Sequence, residues 1–420
     1  MLYNKTKMKK TIKIASLIGL VFGLITTSVS AQTTDSSQKE IEQIKPLVEH
    51  KPSKQWFESF SIRGYAQVRY NRLLETNDKL VCEQCDRSWG GNGGFFIRRA
   101  RIIFSGQVAK NVYFYIQPDF ASTAGTSNNF AQLRDMYFDV GLDKDNEFRF
   151  RIGQSKIPYG FENLQSSQNR LPLDRNDALN SALSNERDLG IFFYWAPKQK
   201  RELFSELVKS GLKGSGDYGV FAFGAYNGQT ANQSETNDRP HLVARVSYPF
   251  AIGKQIIEPG IQAYTGQVDV NNVSAGTKYV KNLDYLDQRA AASFILYPKP
   301  FGIQAEYNIG KGPEFNKGKD TLQVSDLKGG YVTLSYLLKK GNHTIIPFTR
   351  YQVYDGGKKH ELDARSYEVK EVEVGVEWQP NKNFEFVAMY THSKRRFEDF
   401  TKQNNLQEGS LLRLQAQMNF

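Results

Sequence analysis

The chain has 420 residues and a formal net charge of +11, with 55 Lys and Arg against 44 Asp and Glu. Beyond the first 31 residues no stretch approaches 18 consecutive apolar residues, which excludes a helical membrane protein. A largely polar chain with 28 Phe and 22 Tyr is unusual for a soluble enzyme. It is what a transmembrane β-barrel gives, because only alternate residues meet lipid and aromatic girdles mark the interfaces.

Residues 1–31 open with Lys5, Lys7, Lys9, Lys10 and Lys13, run through an apolar stretch from Ile14 to Ile25, and end in Ser28-Val-Ser-Ala31. A basic start, a short apolar run and small residues at the cleavage position predict a secretory signal peptide. The run is too short to span a bilayer, for which roughly 20 residues are needed. No Cys follows Ala31, so no lipid anchor is expected there. Removing the five lysines lowers the net charge from +11 to +6. Residues 32–60 are polar, with one amphipathic stretch from Gln38 to Lys45 stopped by Pro46, and read as a periplasmic leader.

From about Phe60 to the C-terminus, segments of about ten residues with alternating polarity recur between polar loops, so residues 61–420 read as one barrel domain. Ile62, Gly64, Ala66, Val68 and Tyr70 oppose Arg63, Tyr65, Gln67, Arg69 and Asn71. Between Gly93 and Gln107, Phe96, Ala100, Ile102 and Phe104 are expected to face lipid, and Arg99, Arg101, Ser105 and Gln107 a watery lumen. Strict alternation puts Arg98 on the lipid face near the strand's outer end. Snorkelling, a bulge or a subunit contact would accommodate it there. Further on, Val372, Val374, Val376 and Trp378 oppose Glu371, Glu373 and Glu377, and Leu412, Leu414, Ala416, Met418 and Phe420 share one face.

Counting such segments predicts about sixteen antiparallel strands, at 61–72, 94–107, 111–120, 131–141, 147–158, 187–196, 217–227, 240–249, 255–267, 286–297, 300–310, 329–339, 343–354, 367–379, 383–393 and 409–420. Long extracellular connections are expected at 73–93, 159–186, 268–285, 311–328, 355–366 and 394–408, and short periplasmic turns on the other end. The turn 197–216 is an exception, long enough for a small helix. Cys82 and Cys85 flank Glu-Gln in the first loop, beside Trp89. In an exported protein they read as a local disulfide. A metal site would need two further ligands, and no matching Cys or His pair lies nearby.

Three words, Phe96-Ile-Arg-Arg-Ala-Arg-Ile102, Arg134-Asp-Met-Tyr137 and Arg151-Ile-Gly-Gln-Ser-Lys-Ile-Pro-Tyr-Gly-Phe-Glu162, in this order, resemble the phosphate-selective porin O and P family. The terminal Asn419-Phe420 suits a barrel of the Gram-negative outer membrane. The resemblance implies a sixteen-stranded homotrimeric porin whose third extracellular loop, here 159–186, folds into the barrel and narrows it. It implies that Arg98, Arg99 and Arg101, Asp135, Lys156, and Arg170, Arg175 and Arg187 of the loop and its stem belong to the anion path.

A constricted channel lined by fixed charge concentrates counter-ions. Arg63, Arg69, Arg99, Arg101, Arg149 and Arg151 would form a ladder for anions such as phosphate, which guanidinium binds through paired hydrogen bonds. Against them stand Glu306, Glu371, Glu373, Glu377 and Glu385 on later strands. A transverse field across the lumen is therefore as natural an expectation as an anion filter. His50, His241, His343, His360 and His392 are scattered outside any motif, so no catalytic residue, metal or cofactor is expected. The glycines from Gly90 to Gly94 precede a strand and imply no phosphate-cradling loop. Nucleic acid is excluded by the export signal. Expected partners are small anions, outer-membrane lipid with lipopolysaccharide, and two further copies. The alternative is a surface, adhesion or structural barrel with a closed or non-selective pore.

Overall fold

The computed structural model describes residues 56–420 except 86–88, 91–92, 125–126 and 280–283. The expected signal peptide at 1–31 and the leader up to residue 55 lie outside the described residues. From Phe60 onward the backbone forms one closed antiparallel sheet of sixteen staves. They are β1 (Phe60–Leu73), β2 (Phe95–Ala109), β3 (Val112–Ala124), β4 (Ser127–Gly141), β5 (Phe148–Lys156), β6 (Arg187–Trp195), β7 (Phe221–Tyr226) and β8 (His241–Ser247, resumed at Phe250–Ile252). There follow β9 (Gln255–Asp269), β10 (Asp284–Leu296), β11 (Phe301–Asn316), β12 (Thr321–Tyr336, resumed at Leu338–Lys340), β13 (His343–Gly357), β14 (Ser366–Asn381), β15 (Phe384–Glu398) and β16 (Leu406–Asn419).

Each stave pairs with its chain neighbours, and β1 closes the ring on β16, with Ala66 opposite both Ala100 and Met418. Closure satisfies every ladder and leaves no edge, the condition for spanning lipid with strands. The seam is fastened at the last residue. Gly64 donates N–H to the Phe420 carbonyl at 2.8 Å, and Phe420 returns the bond to Gly64 at 3.0 Å. A Cβ on Gly64 would lie 2.5 Å from the Phe420 ring, so the ring needs glycine beneath it.

The alternation holds around the ring. On β14, Val372, Val374, Val376 and Trp378 are exposed on the outside while Glu371, Glu373 and Glu377 are buried inside. The interior reverses the pattern of a soluble core. Its largest fully buried side chains begin with Arg69, Arg245, Arg350, Arg395 and Arg413.

Three features depart from the alternation. The β1–β2 register shifts between Gln67, opposite Arg99, and Val68, opposite Ile97, so Arg98 is a bulge residue. Beyond it the faces swap. Phe95 and Ile97 point outward, and Phe96 sits opposite the inward Arg69, not toward lipid as strict alternation predicts. Second, the outer connections expected at 311–328, 355–366 and 394–408 shrink to 317–320, 358–365 and 399–405. The ladder continues past the apolar band, for example from Lys311–Asp326 to Asn316–Thr321. Polarity stops alternating there because neither face meets lipid. Third, the connection after β6 carries the long helix of the fold, α3 (Lys198–Lys209), after two one-turn helices in the third loop, α1 (Phe161–Leu164) and α2 (Asp177–Asn180).

Gly64→Leu should displace the Phe420 ring and destabilise the barrel by about 1–3 kcal/mol, the usual cost of overpacking. The check is the temperature at which the folded band converts to the unfolded band in a heated gel series, which should fall.

Candidate functional site

The third long connection, 157–186, turns into the lumen instead of standing above it. Gly160 makes the turn at φ +83, and almost every residue to Leu183 is buried. The loop is latched to the far wall by its acids and its backbone. Glu306 of β11 accepts the N–H groups of Phe161 at 2.6 Å and Glu162 at 2.9 Å. Arg350 of β13 donates to Glu162 at 2.9 Å. Arg395 of β15 grips both Asp177 oxygens, at 3.1 and 2.8 Å, and Lys358 adds a third bond at 2.6 Å. Arg413 of β16 pairs with Asp174, which also lies 3.5 Å from Arg69. The first loop covers these pairs. Its Trp89 ring lies 4.9 Å from the Arg395 guanidinium and 5.3 Å from that of Arg413. A disulfide joins Cys82 to Cys85 nearby.

From the opposite end the connector after α3 also enters the barrel. Lys213 reaches Glu377 at 2.5 Å and lies 3.9 Å from Glu385, and its carbonyl accepts from Gln165 of the third loop at 2.6 Å. Phe161, Leu207, Leu212, Ile256, Ile295 and Tyr297 form one apolar cluster from loop, connector and wall. The β8–β16 side of the lumen is thereby filled. Glu306, Glu371, Glu373, Glu377 and Glu385 do face inward, as the alternation predicts, but they are buried beneath these segments. These acids face latching partners: Glu306 the loop backbone, Glu371 Arg395, Glu373 Arg350, and Glu377 and Glu385 Lys213.

Space remains between the third loop and β1–β6. On the long-loop side a cavity of about 410 Å³ is lined by Arg98, Arg99, Arg101, Arg134, Arg170 and Arg175, with Glu83, Asp119, Asp174 and Glu186. On the short-turn side one of about 230 Å³ is lined by Arg63, Arg151, Lys156 and Arg187, with Asp135 and Asp217 and four tyrosines. At the level between them, Arg101 bonds Tyr65 at 2.8 Å and Ser167 of the loop at 3.3 Å.

The acids of both cavities are all in ion pairs. Asp119 is held by Arg101 at 2.7 Å, Asp135 by Arg187 at 2.9 Å, and Asp217 by Arg149 at 2.9 Å. Glu186 is held by Arg175 and Arg187, Asp174 by Arg413, and Glu83 by Arg365. Burial alone would raise the Glu186 carboxyl, but Arg175 and Arg187 outweigh it and hold it well below the usual carboxylate range. Asp174 and Asp177 are depressed in the same way, against burial, by Arg413 and Arg69 and by Arg395 and Lys358. In contrast, Arg63, Arg98, Arg99 and Arg170 have no ion-pair partner among the described residues; Arg99 bonds only the neutral Gln67, at 2.8 Å.

Of the residues singled out in the sequence, Arg63, Arg98, Arg99, Arg101, Asp135, Arg151, Lys156, Arg170, Arg175 and Arg187 line these two cavities. Arg69 does not. It lies under the loop, bonded to the Leu173 carbonyl at 2.8 Å. Arg149 lines a further cavity of about 220 Å³ at the short-turn mouth. Lys156 lines the opening, yet its ammonium is taken by the Leu164 and Gln165 carbonyls at 2.8 and 2.6 Å, so it shapes the loop. Sequence reasoning missed Arg134, Asp119 and Glu186. Arg134 turns inward beside Asp135 because the β3–β4 register shifts where Pro118, lacking an N–H, interrupts the ladder. A proline inside a strand was the available signal.

A model of the family described as phosphate-selective porin O and P matches residues 77–420. The outer membrane channel DcaP of Acinetobacter baumannii superposes with a TM-score of 0.52 at 14% identity, covering 86% of this chain and 97% of that one. OmpF of Salmonella typhi, solved with daunomycin, gives 0.51 at 14% identity with the same coverage, 86% and 97%. At such identity these two likenesses show the barrel fold. No curated protein matches the sequence.

The depressed acids predict how the latch responds to pH. A carboxylate whose folded pKa lies below its unfolded value, about 3.9 for Asp and 4.3 for Glu, stabilises fully above that value and loses its contribution as pH falls through the folded one. The Asp174, Asp177 and Glu186 pairs should therefore persist from pH 7 to about pH 4 and come apart only in stronger acid, where single-channel conductance should rise as the loop comes free. Conductance that stays flat from about pH 4 to about pH 2 would contradict these pairs as the latch.

Proposed function

The chain belongs to the phosphate-selective porin O and P family, and from that premise we propose that its outer-membrane channel passes small hydrophilic anions, phosphate among them, by passive diffusion. The observation that carries this is the imbalance at the opening. Its carboxylates are all neutralised by arginines, while Arg63, Arg98, Arg99 and Arg170 are left without an ion-pair partner among the described residues. An anion entering the long-loop cavity meets three of these guanidiniums, and one entering the short-turn cavity meets the fourth. Guanidinium gives phosphate paired, charge-assisted hydrogen bonds. Several weak sites in series suit passage better than one tight site, which would hold the ion. Passage needs no covalent step, and the reading assigns no catalytic residue, metal or cofactor.

Around this channel the reading places export by the segment 1–31, a periplasmic leader at 32–60, and assembly as a homotrimer among outer-membrane lipid and lipopolysaccharide. The outward Phe95, Ile102, Val374 and Trp378 supply the apolar surface that lipid or neighbouring copies would cover.

The double variant Arg99→Gln, Arg170→Gln tests it. The concentration of phosphate that half-blocks chloride current in a planar bilayer should rise about tenfold, the loss expected for one charge-assisted hydrogen bond. Unaltered block in a folded variant would remove these two arginines from the anion path.

A further inference from the structure

Lipid explains the rings on the outside of the barrel, but nothing in lipid contact calls for rings on its wet face. The short-turn cavity nevertheless has Tyr113, Tyr115, Tyr137 and Tyr218 among its lining residues. All four are only partly buried, whereas the neighbouring Tyr194 is fully buried and serves as packing. Tyr115 and Tyr137 stack with centroids 5.0 Å apart and planes within 12°. The Arg151 guanidinium lies 3.9 Å from the Tyr137 centroid and is fixed there by Asp139 at 2.8 and 2.9 Å. The result is a rigid aromatic wall with its cation already neutralised. Two further groups in the same cavity lack partners among the described residues. Arg63 has no ion-pair partner among the described residues, and Ser215 is 7% exposed with its hydroxyl unbonded.

Inorganic phosphate uses none of the aromatic surface. The cavity, about 230 Å³, holds roughly eight waters, far more than one phosphate needs. A ligand that fits the whole lining has an anionic group for Arg63, a flat C–H face for the tyrosines, and hydroxyls for Ser215 and its neighbours. We propose that the short-turn side of the constriction is a subsite for sugar phosphates, the sugar ring lying against Tyr115 and Tyr218 and the phosphate on Arg63. The proposal rests on the anion passage argued above and names a substrate class for it.

The test is block of chloride current through the full-length protein in a planar bilayer by glucose 6-phosphate, inorganic phosphate and glucose in turn. Glucose 6-phosphate should half-block at roughly tenfold lower concentration than inorganic phosphate, with glucose weaker than both. In Tyr115→Leu, Tyr218→Leu, which keeps apolar bulk and removes the flat faces, the two phosphates should converge. Equal block by both phosphates in the unaltered protein would overturn the ring subsite and leave anion passage standing. Glucose as effective as its phosphate would overturn the anionic class. No block by any of the three would overturn the subsite and the anion passage together. The comparison on the unaltered protein decides even if the double variant fails to assemble.

Discussion

An arginine packed under a loop, away from any water-filled cavity, needs a carboxylate, because an unpaired buried charge is costly and one left behind by a lost partner costs about 3–5 kcal/mol. That constraint fixes the third loop. Glu162, Asp174 and Asp177 are carried inward on a segment with little regular structure, and each meets an arginine of the opposite wall: Arg350, Arg413 and Arg395. Apolar contact holds the same segment, with Leu171 and Leu173 packed on Ile346, Phe348, Val387 and Met389.

The consequence is a lumen divided sideways. The loop descends from one end, the connector with Lys213 enters from the other, and together they fill the side that holds the glutamates of β11, β14 and β15. What stays open is the β1–β6 side, where the arginines outnumber the acids and four of them lack ion-pair partners among the described residues. Charge separation along the sequence, basic early and acidic late, thus becomes a separation between an open basic path and a closed acidic packing. Selectivity of this kind comes from which charges face water and not from net charge, since every buried pair cancels locally.

The strands were legible because lipid on one side and water on the other impose period two. Expected spans such as 61–72 on β1 and 367–379 on β14 lie within the observed strands. Where the two solvents stop differing, the signal failed. β11, β12, β13 and β15 extend beyond their expected ends into water, and the β2 bulge at Arg98 inverted Phe96. At the site, inward arginines could be read from parity, but their partners could not. Whether Arg69 serves an anion or Asp174 depends on a loop a hundred residues away, and Lys156 is consumed by carbonyls that no side-chain pattern announces. The four lumen tyrosines were hidden for another reason. Aromatics are common in barrel strands on either face, so composition alone gives them no direction.

The account stands on the claim that the arginines without ion-pair partners among the described residues, and not the covered glutamates, face the permeating ion. The zero-current potential of the purified protein in a planar bilayer under a KCl gradient measures this directly. The account predicts a potential of the sign set by chloride, the anion being the more permeant ion. A potential near zero, or one of the sign set by potassium, would mean that the glutamates of β11, β14 and β15 reach the path after all, and would contradict it.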